Sequence, residues 1–321
     1  MTAPFAPARW LPGPNAQTVF ANLWRPPSGL RPRRERWELP DGDFLDVDRH
    51  GDPDGPTAVV LHGLEGSSRA PYVVRMVSAL QARGLSAVAL NFRGCSGTMN
   101  RLPRLYHSGE TGDLDLAVRR LAAERPGRPL AVTGFSLGGN VTAKWLGERG
   151  AGLPGEVRAG AVISVPFDLS ACARTIDGPG FWPFVYRERF LRMLRAKALA
   201  KARAFPALLD AAAIPGIHTF ADFDEQVTAR LHGFTGARDY WARSSSGPFL
   251  SGVRVPLLLL SADDDPMVPA ASLPRPGRSP HLTVEVTRGG GHVGFVSGAP
   301  WGFHFHAERR AADFVAAALA S

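Results

Sequence analysis

Six short apolar runs constrain this chain more than any other feature. They are "TAVVLH" (57–62), "SAVALNF" (86–92), "PLAVTGF" (129–135), "RAGAVISV" (158–165), "VPLLLLSA" (255–262) and "LTVEVT" (282–287). Continuous aliphatic and β-branched runs of this length suit strands buried on both faces, as in a parallel sheet covered by helices. Helical patterns lie between them. "APYVVRMVSALQARG" closes on Gly84, "GDLDLAVRRLAAERPG" starts acidic and ends basic, and "LGGNVTAKWLGERG" closes on Gly150, which are the caps and charge gradients of crossover helices. The alternation predicts an α/β fold with a mostly parallel, doubly wound sheet whose ligands bind at the carboxyl ends of the strands. "FLDVD", after Asp41-Gly42, is expected to add antiparallel strands at one edge.

Two segments depart from the rhythm. Residues 1–40 carry eight prolines and read as an extended arm laid over the core of a single domain spanning 1–321. Residues 166–250 contain no strand-like run, only an aromatic lead, "GPGFWPFVY", and a basic amphipathic helix, "YRERFLRMLRAKALAKARAF". An insertion there, on the ligand side of the sheet, predicts a helical lid.

The 321 residues are 45% hydrophobic and 21% charged, which is globular rather than disordered usage. Two cysteines, Cys95 and Cys172, make no disulfide framework. No run reaches the roughly 20 apolar residues of a membrane span, and the N-terminal stretch lacks the apolar region of a signal peptide, so a cytoplasmic location is expected. Much of the formal charge of +8 is local: eight Lys/Arg stand between Arg174 and Arg203 against Asp177 and Glu188. A solvated helix face accounts for that run, with weak peripheral contact to an anionic membrane as the alternative. No nucleic-acid module accompanies it, and nucleic acid is not expected as a partner.

The chemistry concentrates in "LAVTGFSLGGNV" (130–141), where Ser136 sits between Gly134 and Gly138 as a strand gives way to a helix. This is the pattern of a nucleophile elbow, in which the serine takes a strained conformation and larger flanking residues would collide. A serine needs a base, and His292, in the loop "RGGGHVGF" after the last strand, lies where the fold would supply one. The base needs a carboxylate between the two in chain order. "LLLLSADDDPMVP" offers three; Asp264, three residues past the small Ser261 taken as the end of the strand, is the first choice, with Asp265 second and Asp263 third. Backbone N–H donors for an oxyanion are expected at Leu137, following the serine, and at Leu64 in His62-Gly63-Leu64-Glu65-Gly66. His62 itself reads as a residue that braces that loop.

Other chemistries fail on residue type. His304 and His306, if helical, face apart and make no metal site. "GFSLGG" and "RGGGHVG" lack the order of a phosphate loop and the spacing of a dinucleotide fingerprint. No cofactor or metal is expected.

The combination and order of "NAQT", "HGLEGSS", "NFRGCSG", "YHSGETGDL", "GFSLGGN", "PFDL", "DEQVTARLHGF", "DYW", "SADDDP" and "GGGHVGF" resembles the YheT-like branch of the α/β-hydrolase superfamily over nearly the whole chain. The resemblance implies the α/β-hydrolase fold, a triad of Ser136, Asp264 and His292, and esterase or lipase activity on carboxylic esters. Tyr106–Gly109 and His232–Phe234 are further features of the branch, read as structural. Phe181, Trp182 and Phe184 suggest either a greasy group on a small-molecule ester or packing of the lid. An acyltransferase using the same acyl-enzyme, or a non-catalytic binding protein on this fold, are the alternatives.

Overall fold

In the computed structural model, residues 4–24, 29–275, 277 and 279–320 are described. Gly42, at φ 84°, closes the turn between β1 (Arg33–Glu38) and β2 (Phe44–His50), an antiparallel hairpin at the sheet edge. β2 pairs antiparallel with β4 (Ser86–Leu90). From there the sheet is parallel, through β3 (Thr57–Leu61), β5 (Leu130–Phe135), β6 (Val157–Ile163), β7 (Leu257–Ala262) and β8 (Leu282–Thr287), in the order β1-β2-β4-β3-β5-β6-β7-β8. All six expected runs are strands of this one sheet.

Alternating residues of the central strands fill two cores. On one face Val59, Val132 and Val162 meet α3 (Gly112–Glu124) and α4 (Leu137–Arg149) through Leu114, Val118, Val141 and Trp145. On the other, Val60, Ile163 and Leu258 meet α2 (Pro71–Gln81) and α10 (His306–Leu319) through Val73, Met76, Ala311 and Val315. Pro71 sits at the first position of α2, where its missing N–H costs nothing, and Gly150, at φ 48°, ends α4. This is the α/β-hydrolase architecture, with helices on both faces of a mostly parallel sheet.

The N-terminal arm is not extended throughout. Residues 13–23 form α1 (Gly13–Leu23), and 33–38 are β1. Proline density misleads here because Pro12 and Pro14 occupy the cap and the first turn of α1, where a helix tolerates proline. The parts of the arm at 1–3 and 25–28 lie outside the described residues.

Residues 166–250 contain no strand, as expected. They form α5 (Leu169–Ile176), α6 (Phe181–Ala204), α7 (Phe220–Phe223), a π-helical turn (Asp224–Thr228), α8 (Ala229–His232) and α9 (Ala237–Ser244). These helices cap the sheet and have their own small core, centred on Leu191, Leu194, Ala198, Ile217 and Phe223. The basic face of α6 is not wholly solvated. The Lys201 side chain is only 2% exposed and donates to the Asn100 and Leu102 carbonyls, and Lys197 is also turned inward. Two of the eight cations thus fasten the cap to the loop after β4. Among the described residues no helix is long and apolar enough to cross a membrane.

Candidate active site

Ser136 follows β5 and precedes α4 with φ 51° and ψ −119°, a conformation that L-residues rarely adopt. A Cβ on Gly134 would run into the Gly138 carbonyl, and one on Gly138 into the carbonyls of Leu61 and His62. Gly134 is therefore required by the closeness of the strand end to the first turn of α4, and Gly138 by the packing of that turn against the end of β3.

His292 lies in the loop after β8. Its Nδ1 is 2.8 Å from Asp265 Oδ2, and its Nε2 is 2.9 Å from Ser136 Oγ. A carboxylate only accepts, so Nδ1 carries the proton and donates to Asp265; Nε2 is left to accept from the serine hydroxyl. The Asp265 side chain is almost completely buried, and its Oδ1 accepts from the N–H groups of Met267 and Val268.

The carboxylate that reaches His292 is thus Asp265, not Asp264. Asp264 Oδ1 accepts from Gly291 N–H at 2.9 Å, and Asp263 Oδ1 accepts from Gly289 N–H at 2.8 Å. The two preceding aspartates hold the glycine loop while the third meets the imidazole. The miscount has a simple origin: β7 runs to Ala262 rather than stopping at Ser261, and three residues beyond Ala262 is Asp265. Burial, with the charges of Asp263 and Asp265 beside it, pushes the Asp264 carboxyl above the usual range.

The loop after β3 is pinned at nearly every N–H. Tyr72 Oη accepts from Gly63 N–H at 3.0 Å, Tyr106 Oη accepts from Glu65 N–H at 2.7 Å, and Gly66 N–H donates to the Gly63 carbonyl. Leu64 N–H, between them, donates to nothing among the described residues. Leu137 N–H, at the first position of α4, is equally free. Gly63 is confined because a Cβ would stand 3.2 Å from Ser136 Cβ. His62 braces the loop: Nδ1–H donates to the Gly63 carbonyl at 2.7 Å, and Nε2 accepts from Phe92 N–H at 3.2 Å. Burial lowers its pKa to about 3, which keeps the ring neutral for this bridging role.

Sequence reasoning passed over the support from the N-terminal segment. Thr18 Oγ1 on α1 accepts from His292 N–H at 2.9 Å, and Gln17 holds both the N–H and the carbonyl of Val296. The only signal was "NAQT", whose place beside the histidine loop is a tertiary fact.

Ser136 and His292 stand where two cavities meet. One runs under the cap and is lined by apolar groups such as Leu105, Leu169, Ile176, Phe190, Leu194 and Phe223. Its polar lining includes Asp224, where burial lifts the carboxyl to about 7 although Trp241 and Thr228 donate to it, and the neutral pair His107 and His232. The other cavity opens between α1 and the start of α6, past Leu23, Trp182 and Arg189. Phe181 and Phe184 line neither; they are 71% and 52% exposed, and Phe181 stands edge-on to Trp182. His304 is in β10 (His304–Phe305), which pairs with β9 (Val296–Ser297), and His306 starts α10, so the two are not on one helix as expected.

Residues 56–299 match the family described as the alpha/beta hydrolase fold, and the chain belongs to that family. Within it, the chain belongs to the YheT-like branch. It is 39% identical over 304 residues to the Escherichia coli (strain K12) protein named "Putative esterase YheT", covering 92% of this chain and 88% of that one. It is 26% identical over 309 residues to mouse "Phospholipase ABHD3" (93% and 74% covered), and 31% identical over 300 residues to the yeast protein named "Monoacylglycerol lipase" (90% and 64% covered). Among solved structures, the Pyrococcus furiosus esterase Pf2001 shares the fold with a TM-score of 0.53 at 16% identity, covering 91% of both chains.

Proposed function

We propose that the protein is a serine hydrolase that cleaves carboxylic esters through an acyl-enzyme, with Ser136 as nucleophile, His292 as base and then acid, and Asp265 as the orienting carboxylate. The observation that carries this reading is the unbroken relay from Ser136 Oγ through His292 to Asp265, with each contact below 3 Å. As Oγ attacks the ester carbon, its proton passes to His292 Nε2, and Asp265 stabilises the imidazolium. The carbonyl oxygen takes up the electron pair, and the free N–H groups of Leu64 and Leu137 receive it. Collapse of the tetrahedral adduct expels the alcohol, which takes the proton from Nε2. Water, activated by the same nitrogen, then releases the acid.

The names of the relatives support esters as the substrate class. The apolar cavity under the cap supports a hydrocarbon acyl or alcohol group, and the helices at 166–250 act as the lid that keeps water from it. Fluorophosphonate labelling of the native protein, with the adduct mapped by mass spectrometry, tests the nucleophile. Label on Ser136, and a fall of at least about 10³-fold in p-nitrophenyl ester turnover for a folded Ser136→Ala variant, is the expected result. Turnover retained in that variant would defeat the reading.

A further inference from the structure

Glu65, next to the free Leu64 N–H, is an unusual residue to find buried. Its side chain is 3% exposed and its φ is 53°. Two partners from different parts of the chain hold the carboxylate. Tyr106 Oη–H donates to Oε1 at 2.7 Å, and Lys197 Nζ, on α6 of the cap, reaches the same oxygen at 2.9 Å. Lys197 also lies 3.0 Å from Cys95 Sγ, and burial raises that thiol to about 11. Burial works against the Lys197 ammonium, the Cys95 sulfur and the Glu65 carboxylate work for it, and it stays above the ordinary lysine value.

The Leu64 side chain is gripped in the same way. It packs against both the sheet core and the core of the cap. The cap thus touches the loop twice, through an apolar contact at Leu64 and a buried charge pair at Glu65. The backbone there bends through a positive φ that a glutamate does not adopt unaided.

We propose that the cap holds the oxyanion loop in its donating conformation through the buried Glu65–Lys197 ion pair, which makes Lys197 a positioning residue for the reaction. Seating of α6 and assembly of the oxyanion hole are then one event, because the loop loses its electrostatic tether when α6 moves away. The inference rests on the serine-hydrolase reading given above.

The test is a cycle of Lys197→Met, Glu65→Gln and the double variant, with kcat and KM for a short p-nitrophenyl ester. Affinity for phenylboronic acid is measured beside them, because its adduct on the serine mimics the tetrahedral anion. Lys197→Met is expected to lower kcat about 10–100-fold, somewhat less than outright removal of an oxyanion donor. KM should stay within about twofold, and boronate affinity should fall by the same factor as kcat, a correlation that a merely loosened fold would not produce. The double variant should be no slower than Lys197→Met, since the tether is already gone. It buries no lone charge, so it still decides the matter, by the same loss relative to the native enzyme, if the single variant does not fold. Native kcat and boronate affinity in a folded Lys197→Met or double variant, a loss confined to KM, or single losses that multiply in the double, would each overturn the proposal. A native protein that neither hydrolyses esters nor labels at Ser136 would remove the hydrolase reading and this inference together. An active native enzyme with indifferent variants removes only the inference.

Discussion

Glu65, Ser136, Ser164, Val293 and Phe295 are the non-glycine residues with positive φ among the described residues, and all five belong to the loops that build the site. Such conformations cost about 1–3 kcal/mol each and persist only where the surroundings over-determine them. Here they are over-determined: Ser164 Oγ, for example, accepts from Val293 N–H at 3.0 Å, tying the end of β6 to the histidine loop. The aspartates show how finely residue roles divide. Asp265→Asn keeps the shape but presents the wrong hydrogen-bonding group to His292 Nδ1–H, and kcat is expected to fall about 10³–10⁴-fold. Asp264→Asn still offers an oxygen to Gly291 N–H and should lose less than about tenfold. Steady-state kinetics of the two variants on one ester decides; equal losses, or the reverse order, would return the orienting role to Asp264.

At the scale of elements, α1 and α6 act beyond their own segments. α1 carries the acceptor for His292 N–H, and a Cβ on Gly291 would run into the Pro14 carbonyl, so helix and loop fit without a gap. Thr18→Val removes the acceptor while keeping the volume. The stranded N–H should cost about 1–3 kcal/mol, seen as a lower melting temperature, with a several-fold drop in kcat as the imidazole loses its backbone anchor. An unchanged melting temperature and kcat would show that α1 merely lies against the loop. Neither role could be read locally. The period of α6 marks an amphipathic helix, but nothing in it distinguishes Lys197 and Lys201, which meet carbonyl, thiol and carboxylate partners 99 to 132 residues away in the chain, from the cations left in water. The prolines of the arm misled for the converse reason, since proline marks a helix start as readily as an extended run.

For the molecule as a whole, the site lies where an apolar cavity under the cap meets a second cavity between α1 and the start of α6, so an ester can place one apolar end in the first and leave the other in the second. Across p-nitrophenyl esters of increasing acyl length, kcat/KM is expected to rise by about fourfold per methylene, the equivalent of roughly 0.8 kcal/mol, until the cavity is full. A flat or falling series from acetate onward would place the acyl chain outside the cavity. The sheet, its crossover helices, the bend at Ser136 and the placing of His292 in the loop after the last strand were legible in the chain alone, because each is written in a local pattern of period, cap or glycine spacing; Leu64 and Leu137, proposed as oxyanion donors, were picked out by the same glycine spacing. The choice among three adjacent aspartates, the service of α1 to the histidine loop and the burial of Lys197 against Glu65 were decided only in the folded molecule. Local pattern sets what a segment becomes; which of several equivalent side chains meets a distant partner depends on the end of a strand and the packing of another element, and one residue of register is enough to change it.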